Sequence, residues 1–380
     1  MIKDNEKLTF RGEFAENDFR IYLEEVKNNT AWVSVPANSL VFRKVDGSDL
    51  PATPSESEQD TALFGTMLFV KGNHLPYMGV RECAIPSTRK RLGIDCRAMD
   101  SVSTETAASI MTMVAAEMKQ DSTVLVGVVD GKVNAMLSNT AGKNSYQVFD
   151  AVDVFAESAD MVEDLTAAED TVASKFEAQW GYDGMVCRWE TPIKQVLKGN
   201  ACSTNIEMET SDIGESSVKY GASLNFLGRT IPFMTEQRIE HRQKYDGMNV
   251  LEAAEMVRVS VKETAKNIPA AMKEGMDRLN ALQGVEIYNP VETMDALSSM
   301  VGLPKRAYEA AIRKYVAGHG CGQTNALDLY IALSEINTVY SNKQKNFSNQ
   351  GIVKSNLLKL LGANWSRYDR YDQKVRDRYR

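Results

Sequence analysis

The stretch Val124-Leu-Val-Gly-Val-Val129, Asp130-Gly131, Lys132-Val-Asn-Ala-Met-Leu-Ser138 decides the fold. Two runs rich in apolar and β-branched residues flank a two-residue Asp-Gly step. A type I′ turn needs positive φ at both central residues, and Asp and Gly tolerate that best. The segment is therefore predicted to be a β-hairpin.

Upstream, Ala31–Val41 alternates like a strand, and Ala62–Val70 reads as a buried strand. Lys44–Asp60 between them is rich in Pro, Ser and acid and reads as a surface loop or linker. Within Met78–Met99 the pair Pro86–Ser87 marks a turn. Ser103–Lys119 is predicted to be a helix, with Ile110, Met111, Val114 and Met118 on one face. Downstream, Tyr146–Phe155 starts a mixed strand or helix. Met185–Glu190, Ser203–Thr210 and Ser217–Leu227 read as strands, the last two pairing across a turn at Ser211–Gly214. The last 140 residues read as helical. Asn249 and Glu252 form a capping box, and Pro269 is expected to kink or break the helix they open. Further helices fit Pro290–Met300, Lys305–Val316, Ala326–Tyr340 and Ile352–Leu361. The expectation is an α+β fold, with an antiparallel sheet and β-hairpin in the N-terminal and middle parts and a helical C-terminal part. The segments are 1–45 (strands), 46–60 (linker), 61–235 (α+β core), 236–362 (helical) and 363–380 (basic aromatic tail).

The bulk numbers exclude several classes. The chain has 380 residues, 43% hydrophobic and 25% charged, which suits a globular protein with a real core. No run approaches 18 apolar residues, and the first residues lack a signal-peptide core, so a cytoplasmic protein without membrane contact is expected. The five cysteines form no CxxC pair and read as reduced thiols. A net charge of −7 argues against a basic nucleic-acid coat but leaves room for a local basic patch. The sequence has no GxxxxGK[ST], GxGxxG, HExxH or Gly-x-Ser-x-Gly, so P-loop hydrolysis and Rossmann cofactor binding are disfavoured. No cofactor and no metal site are expected. The eight acids of Asp150–Asp170 lack EF-hand spacing and read as a solvated helix face.

Several motifs in order resemble a phage- and plasmid-borne family, domain-of-unknown-function family 932, also labelled a lateral-gene-transfer family. They are Arg91-Leu-Gly-Ile94, Asp130-Gly-Lys-Val-Asn-Ala-Met-Leu-Ser138, Tyr146…Asp150, Ser211-Asp-Ile-Gly214, Arg238-Ile-Glu-His241 and Thr324-Asn-Ala-Leu-Asp-Leu-Tyr-Ile-Ala-Leu-Ser-Glu335. The resemblance covers roughly residues 75–340. It implies a mobile-element origin and carries no activity over. Asn134 stands where the family's pattern has Arg, Thr140–Ser145 is an insertion, and Leu224–Gly228 departs from the family's Cys-x-Asn-Gly element.

Two segments carry the first functional expectation, single-stranded DNA binding or annealing. One holds Arg81, Arg89, Lys90, Arg91 and Arg97. The other, Trp365–Arg380, interleaves Arg367, Arg370, Lys374 and Arg376 with Trp365, Tyr368 and Tyr371. Cations track phosphates and rings stack on bases. The plainer account of the tail is a helix with ion pairs docked on the body. A second expectation is an enzyme with a polar pocket near His241, using Arg238, Asp212 or Asn225. His319, two residues from Cys321, reads better as part of a glycine-rich loop than as a nucleophile pair. A third is a non-catalytic inhibitor or scaffold that binds a host protein, for which the acidic net charge speaks. Self-association into a homo-oligomer is a further expectation.

Overall fold

The computed structural model describes residues 6–45, 66–70, 78–119, 123–138, 150–167, 175–210, 218–239, 250–343 and 347–379. In chain order the elements are β1 (Leu8–Arg11), α1 (Ala15–Asn28), β2 (Thr30–Pro36), β3 (Leu40–Lys44), β4 (Thr66–Val70), β5 (Met78–Gly79), α2 (Ala84–Leu92), α3 (Thr104–Ala116), β6 (Thr123–Val129), β7 (Lys132–Ser138) and α4 (Ala151–Thr166). Then come β8 (Lys175–Gly181), β9 (Gly184–Leu197), β10 (Asn200–Thr210), β11 (Val218–Phe226), β12 (Arg229–Pro232) and β13 (Gln237–Ile239). The C-terminal part holds α5 (Val250–Ala281), β14 (Glu286–Ile287), α6 (Pro290–Val301), α7 (Lys305–His319), β15 (Thr324–Asn325), α8 (Ala326–Lys343), α9 (Phe347–Lys359), α10 (Trp365–Tyr368) and α11 (Gln373–Tyr379). The fold is α+β with antiparallel sheets and helices toward the C-terminus. Among the described residues, no helix is long and apolar enough to cross a membrane.

The Asp130–Gly131 hairpin is present as β6 and β7, with φ of 51° and 74° at the turn. It joins β2 in a small antiparallel sheet. α2 packs on β7 and α3 on β3, and Val35, Leu40, Phe42, Met111, Val126 and Met136 share one core. Pro86 does not make the expected turn: it lies in the first turn of α2, where a missing N–H leaves no helical bond unmade. Ser103 caps α3 by accepting from the Thr106 N–H. α5 runs through Pro269 without a break. Ile268 and Met272 on either side of it are buried, so tertiary packing holds both halves in place. Asn249 of the capping pair, the turn Ser211–Gly214 and the linker 46–60 lie outside the residues whose placement is described.

A larger antiparallel sheet runs in the order β1-β8-β9-β10-β11-β12, with β13 also on β11. Its strands place alternate residues on opposite faces, with one register shift at Ser203/Thr204. Phe176, Ala178 and Trp180, then Cys187 and Trp189, then Ile206 and Met208, then Tyr220 and Ala222 fall on one face by register. α1 and α4 cover that face with Phe19, Leu23, Val154 and Phe155. The rings pack edge-on and offset, with Phe19–Phe155 at 5.1 Å and Phe176–Trp189 at 5.3 Å. β1 and α1 thus belong to the large sheet, while Thr30–Ser138 forms a module with its own core. The two cores cut across the segments 1–45 and 61–235 read from composition.

Candidate functional site

The opposite face of the large sheet is polar, and its residues line up in rows. One row reads Arg11, Glu177, Arg188, Glu207, Gly221 across β1, β8, β9, β10 and β11. Cross-strand neighbours lie about 4.5–5.5 Å apart at Cβ, so opposite charges in register attract one another. Arg11 reaches Glu177 at 2.5 Å and Arg188 reaches Glu207 at 3.2 Å. The next row reads Lys175, Glu190, Asn205, Ser223, with Lys175 and Glu190 at 3.9 Å.

α8 and α9 cover one half of this face. Lys354 of α9 reaches over Gly221 and donates to the Glu207 carboxylate at 2.6 Å. A Cβ at Gly221 would sit 2.5 Å from the Lys354 Nζ, and one at Gly351 2.9 Å from the Glu209 carboxylate. These two glycines let α9 lie close on the sheet. Ser223 also donates to Glu207, at 2.8 Å. Burial alone would push the Glu207 carboxyl up, but Lys354 and Arg188 hold it down at about 2. Burial pushes its neighbour Glu209 above the usual carboxylate range, against the pull of Lys219 and Lys354.

The other half of the face is open. It forms a groove of about 770 Å³ lined from β1 and the start of α1 (Arg11, Glu13, Glu16), through β8 and β9, to Asn205, Asn225 and Thr230. That volume lies in the range of ligand sites, but the lining is mainly polar. Burial pushes the Glu16 carboxyl up, opposed by the charge of Arg20. Two large apolar side chains stand exposed beside residues that line the groove: Phe14 next to Glu13, at 68%, and Leu227 next to Gly228, at 81%.

The residues expected from sequence are placed as follows. Arg81 is buried, at 2% exposure, with its guanidinium 3.5 Å over the Tyr182 ring and 3.9 Å from Asp130. It therefore joins the small module to the large sheet and is closed to a phosphate. Arg89 pairs with Asp100 at 2.6 Å, and Arg91 is half-buried, whereas Lys90 and Arg97 are exposed. The tail is docked. Trp365 is buried and donates to the Leu360 carbonyl at 2.9 Å. Arg376 grips the buried Glu292 through two nitrogens, at 2.8 and 3.2 Å. Tyr368 is half-buried, while Arg367, Arg370, Tyr371 and Lys374 face solvent. α2 packs on β7, and α10 and α11 pack on α6, so the two basic segments rest on different parts of the molecule.

His241 and Asp212 lie outside the described residues. Asn225 lines the groove. Arg238 pairs with Glu236 and faces Lys219 across the strands, six positions along β11 from Asn225. At 3.3 Å per residue that is roughly 20 Å, so these two candidates do not share a pocket. His319 stacks on Tyr315 with ring centroids 4.9 Å apart. Among the described residues, no group of three or more His, Cys, Asp or Glu is placed to hold a metal.

Of the groove residues, sequence reasoning singled out Asn225 alone and missed Arg11, Glu13, Glu16, Lys175, Glu177, Arg188, Glu190 and Asn205. Met185–Glu190 reads as a strand, but Lys175–Gly181 was not singled out, and the charge rows emerge only once strand registers are known. No family model, curated protein or solved structure matches this chain. The resemblance to the mobile-element family therefore rests on the quoted motifs alone.

Proposed function

We propose that the protein acts by binding another protein, in the manner of a non-catalytic inhibitor or scaffold, and that the groove on the polar sheet face is where the partner seats. The observation that carries this reading is Leu227. It is an exposed leucine held at a left-handed φ of 50°, next in the chain to Gly228, which lines the groove. That conformation costs an L-residue about 1–2 kcal/mol, and exposing the side chain gains nothing for the isolated chain. Exposed apolar anchors beside a polar cleft are what a protein partner desolvates. The net charge of −7 and the internal pairing of the groove cations agree with this. The phage or plasmid origin implied by the motifs would make the partner a host protein.

The experiment is site-specific photo-crosslinking in host lysate from Asn225, in the groove, and from Met113, exposed on α3. A species that forms from Asn225 and not from Met113 is expected. Equal labelling from both, or none from Asn225, rejects the reading.

A second reading, single-stranded DNA binding, keeps one specific observation. Arg367, Arg370 and Lys374 are exposed beside Tyr371, and none forms an ion pair among the described residues. Three phosphate contacts would weaken oligo-dT binding about 20-fold between 50 and 200 mM salt. No anisotropy change at 50 mM salt removes this reading.

A further inference from the structure

Every cation in the groove is already matched inside the chain: Arg11 by Glu177, Lys175 by Glu190, Arg188 by Glu207. Glu13 and Glu16 line the same groove at the start of α1; neither lies within ion-pair distance of a described cation, and Arg20 acts on Glu16 only through its more distant charge. The charge left for a visitor is therefore negative and lies at the β1 end. Phe14 follows Glu13 in the chain, and Leu227 precedes Gly228, a lining residue toward the β12 end; both side chains are exposed.

The groove runs across the strands. From β1 to β12 there are five inter-strand steps, which at about 4.8 Å each span roughly 24 Å. An extended chain covers that distance with about seven residues. Asn205 and Asn225 lie between the ends, and each amide can both donate to and accept from a peptide backbone.

We infer that the groove takes an extended segment of about seven residues, with Lys or Arg set against Glu13 and Glu16 and apolar residues on Phe14 and Leu227. This deepens the protein-binding reading and rests on it. A nucleic-acid strand is the wrong occupant for the groove, since its phosphates would meet the carboxylates of Glu13 and Glu16 and cations already paired.

The test is a selection of random heptapeptides displayed on phage against the full-length chain. A selected peptide is then measured by fluorescence anisotropy on the wild type, on Glu13→Lys and on Asn225→Trp. Glu13 is exposed, so its reversal leaves the packing intact; the tryptophan is placed to fill the groove. Enrichment of Lys or Arg beside apolar residues is expected, with binding to Glu13→Lys weakened about tenfold. Selected peptides that lack basic residues, yet are lost on Asn225→Trp, overturn the basic-segment inference while the groove reading stands. Peptides that bind Asn225→Trp as tightly as the wild type overturn the groove reading itself, as does a selection that returns nothing above background. Displacement of a selected peptide by oligo-dT at 50 mM salt would assign the groove to nucleic acid and overturn both.

Discussion

Leu227 precedes Gly228 on a hairpin tip where asparagine would sit more comfortably. A two-residue type I′ turn prefers Asn-Gly because Asn tolerates the left-handed region. Leu227→Asn should therefore stabilise the chain by about 1 kcal/mol and weaken partner binding at the same time. Chemical denaturation and the Asn225 crosslink measure the two effects. A variant no more stable than wild type would show that the leucine makes contacts that repay its conformation. Glu207 carries the second expectation. Its folded pKa of about 2 lies below the unfolded value of 4.5, so its stabilisation is complete above about pH 4.5 and fades as pH falls toward 2. Glu209 is shifted upward and titrates in the opposite sense, becoming easier to bury as pH falls. Lys354→Met leaves Glu207 with Arg188 as its one cation beside the Ser223 hydroxyl. Removing one partner of a buried pair costs about 3–5 kcal/mol, and the acid-side loss should begin at higher pH. Adding Glu207→Gln should recover part of that loss. Equal urea midpoints for Lys354→Met and wild type would contradict the role given to this lysine. Neither residue was singled out from sequence, because a lysine 147 positions from its carboxylate leaves no local pattern.

Strand and helix identities were largely legible, since each follows from its own stretch of chain. The hairpin at Asp130–Gly131 and the strand pair Ser203–Thr210 with Ser217–Leu227 are present in register. The turn expected at Pro86–Ser87 is instead the first turn of α2, a position that proline suits as well as it suits a turn, and at Pro269 the helix continues with Ile268 and Met272 buried on either side. The tail left two accounts open because charge and aromatic content are the same for a free arm and for a docked one. Here α11 sets Arg376 on the buried Glu292, and Tyr379 donates to Asp295. Arg378 reaches the same Asp295 at 3.3 Å. A detachable tail could be removed without harm. Truncation after Gly362 should instead destabilise the chain by at least about 3 kcal/mol, because it strands Glu292 and empties the site of Trp365. Thermal denaturation of the truncated chain decides this, and an unchanged midpoint would restore the tail to the status of a free arm.

The two cores meet at one polar cluster. Arg81 lies over Tyr182, Tyr182 donates to Asp130 at 2.9 Å, and Asn134 donates to the Tyr182 carbonyl at 2.9 Å. Asn134, where the resembling family has arginine, is thus a docking amide. Arg81→Ala should cost about 3–5 kcal/mol and split one cooperative unfolding transition into two, which calorimetry can resolve. A single transition at an unchanged temperature would show that the modules are coupled elsewhere. The cores were not legible in sequence because β1 and α1 come first in the chain yet belong to the sheet whose other strands begin at Lys175. Leu8 pairs with Trp180, about 170 residues away. The small module spans that gap, and its own ends meet where Thr30 pairs with Val129. If it folds first, it removes about 100 residues from the loop that β1 and β8 must close. Loop-closure entropy makes that worth roughly 0.8 kcal/mol, or about a fourfold faster search. The inserted module is thus also a splint for assembly: during synthesis it can be complete before β8 has been made, holding α1 near the place where its sheet will form.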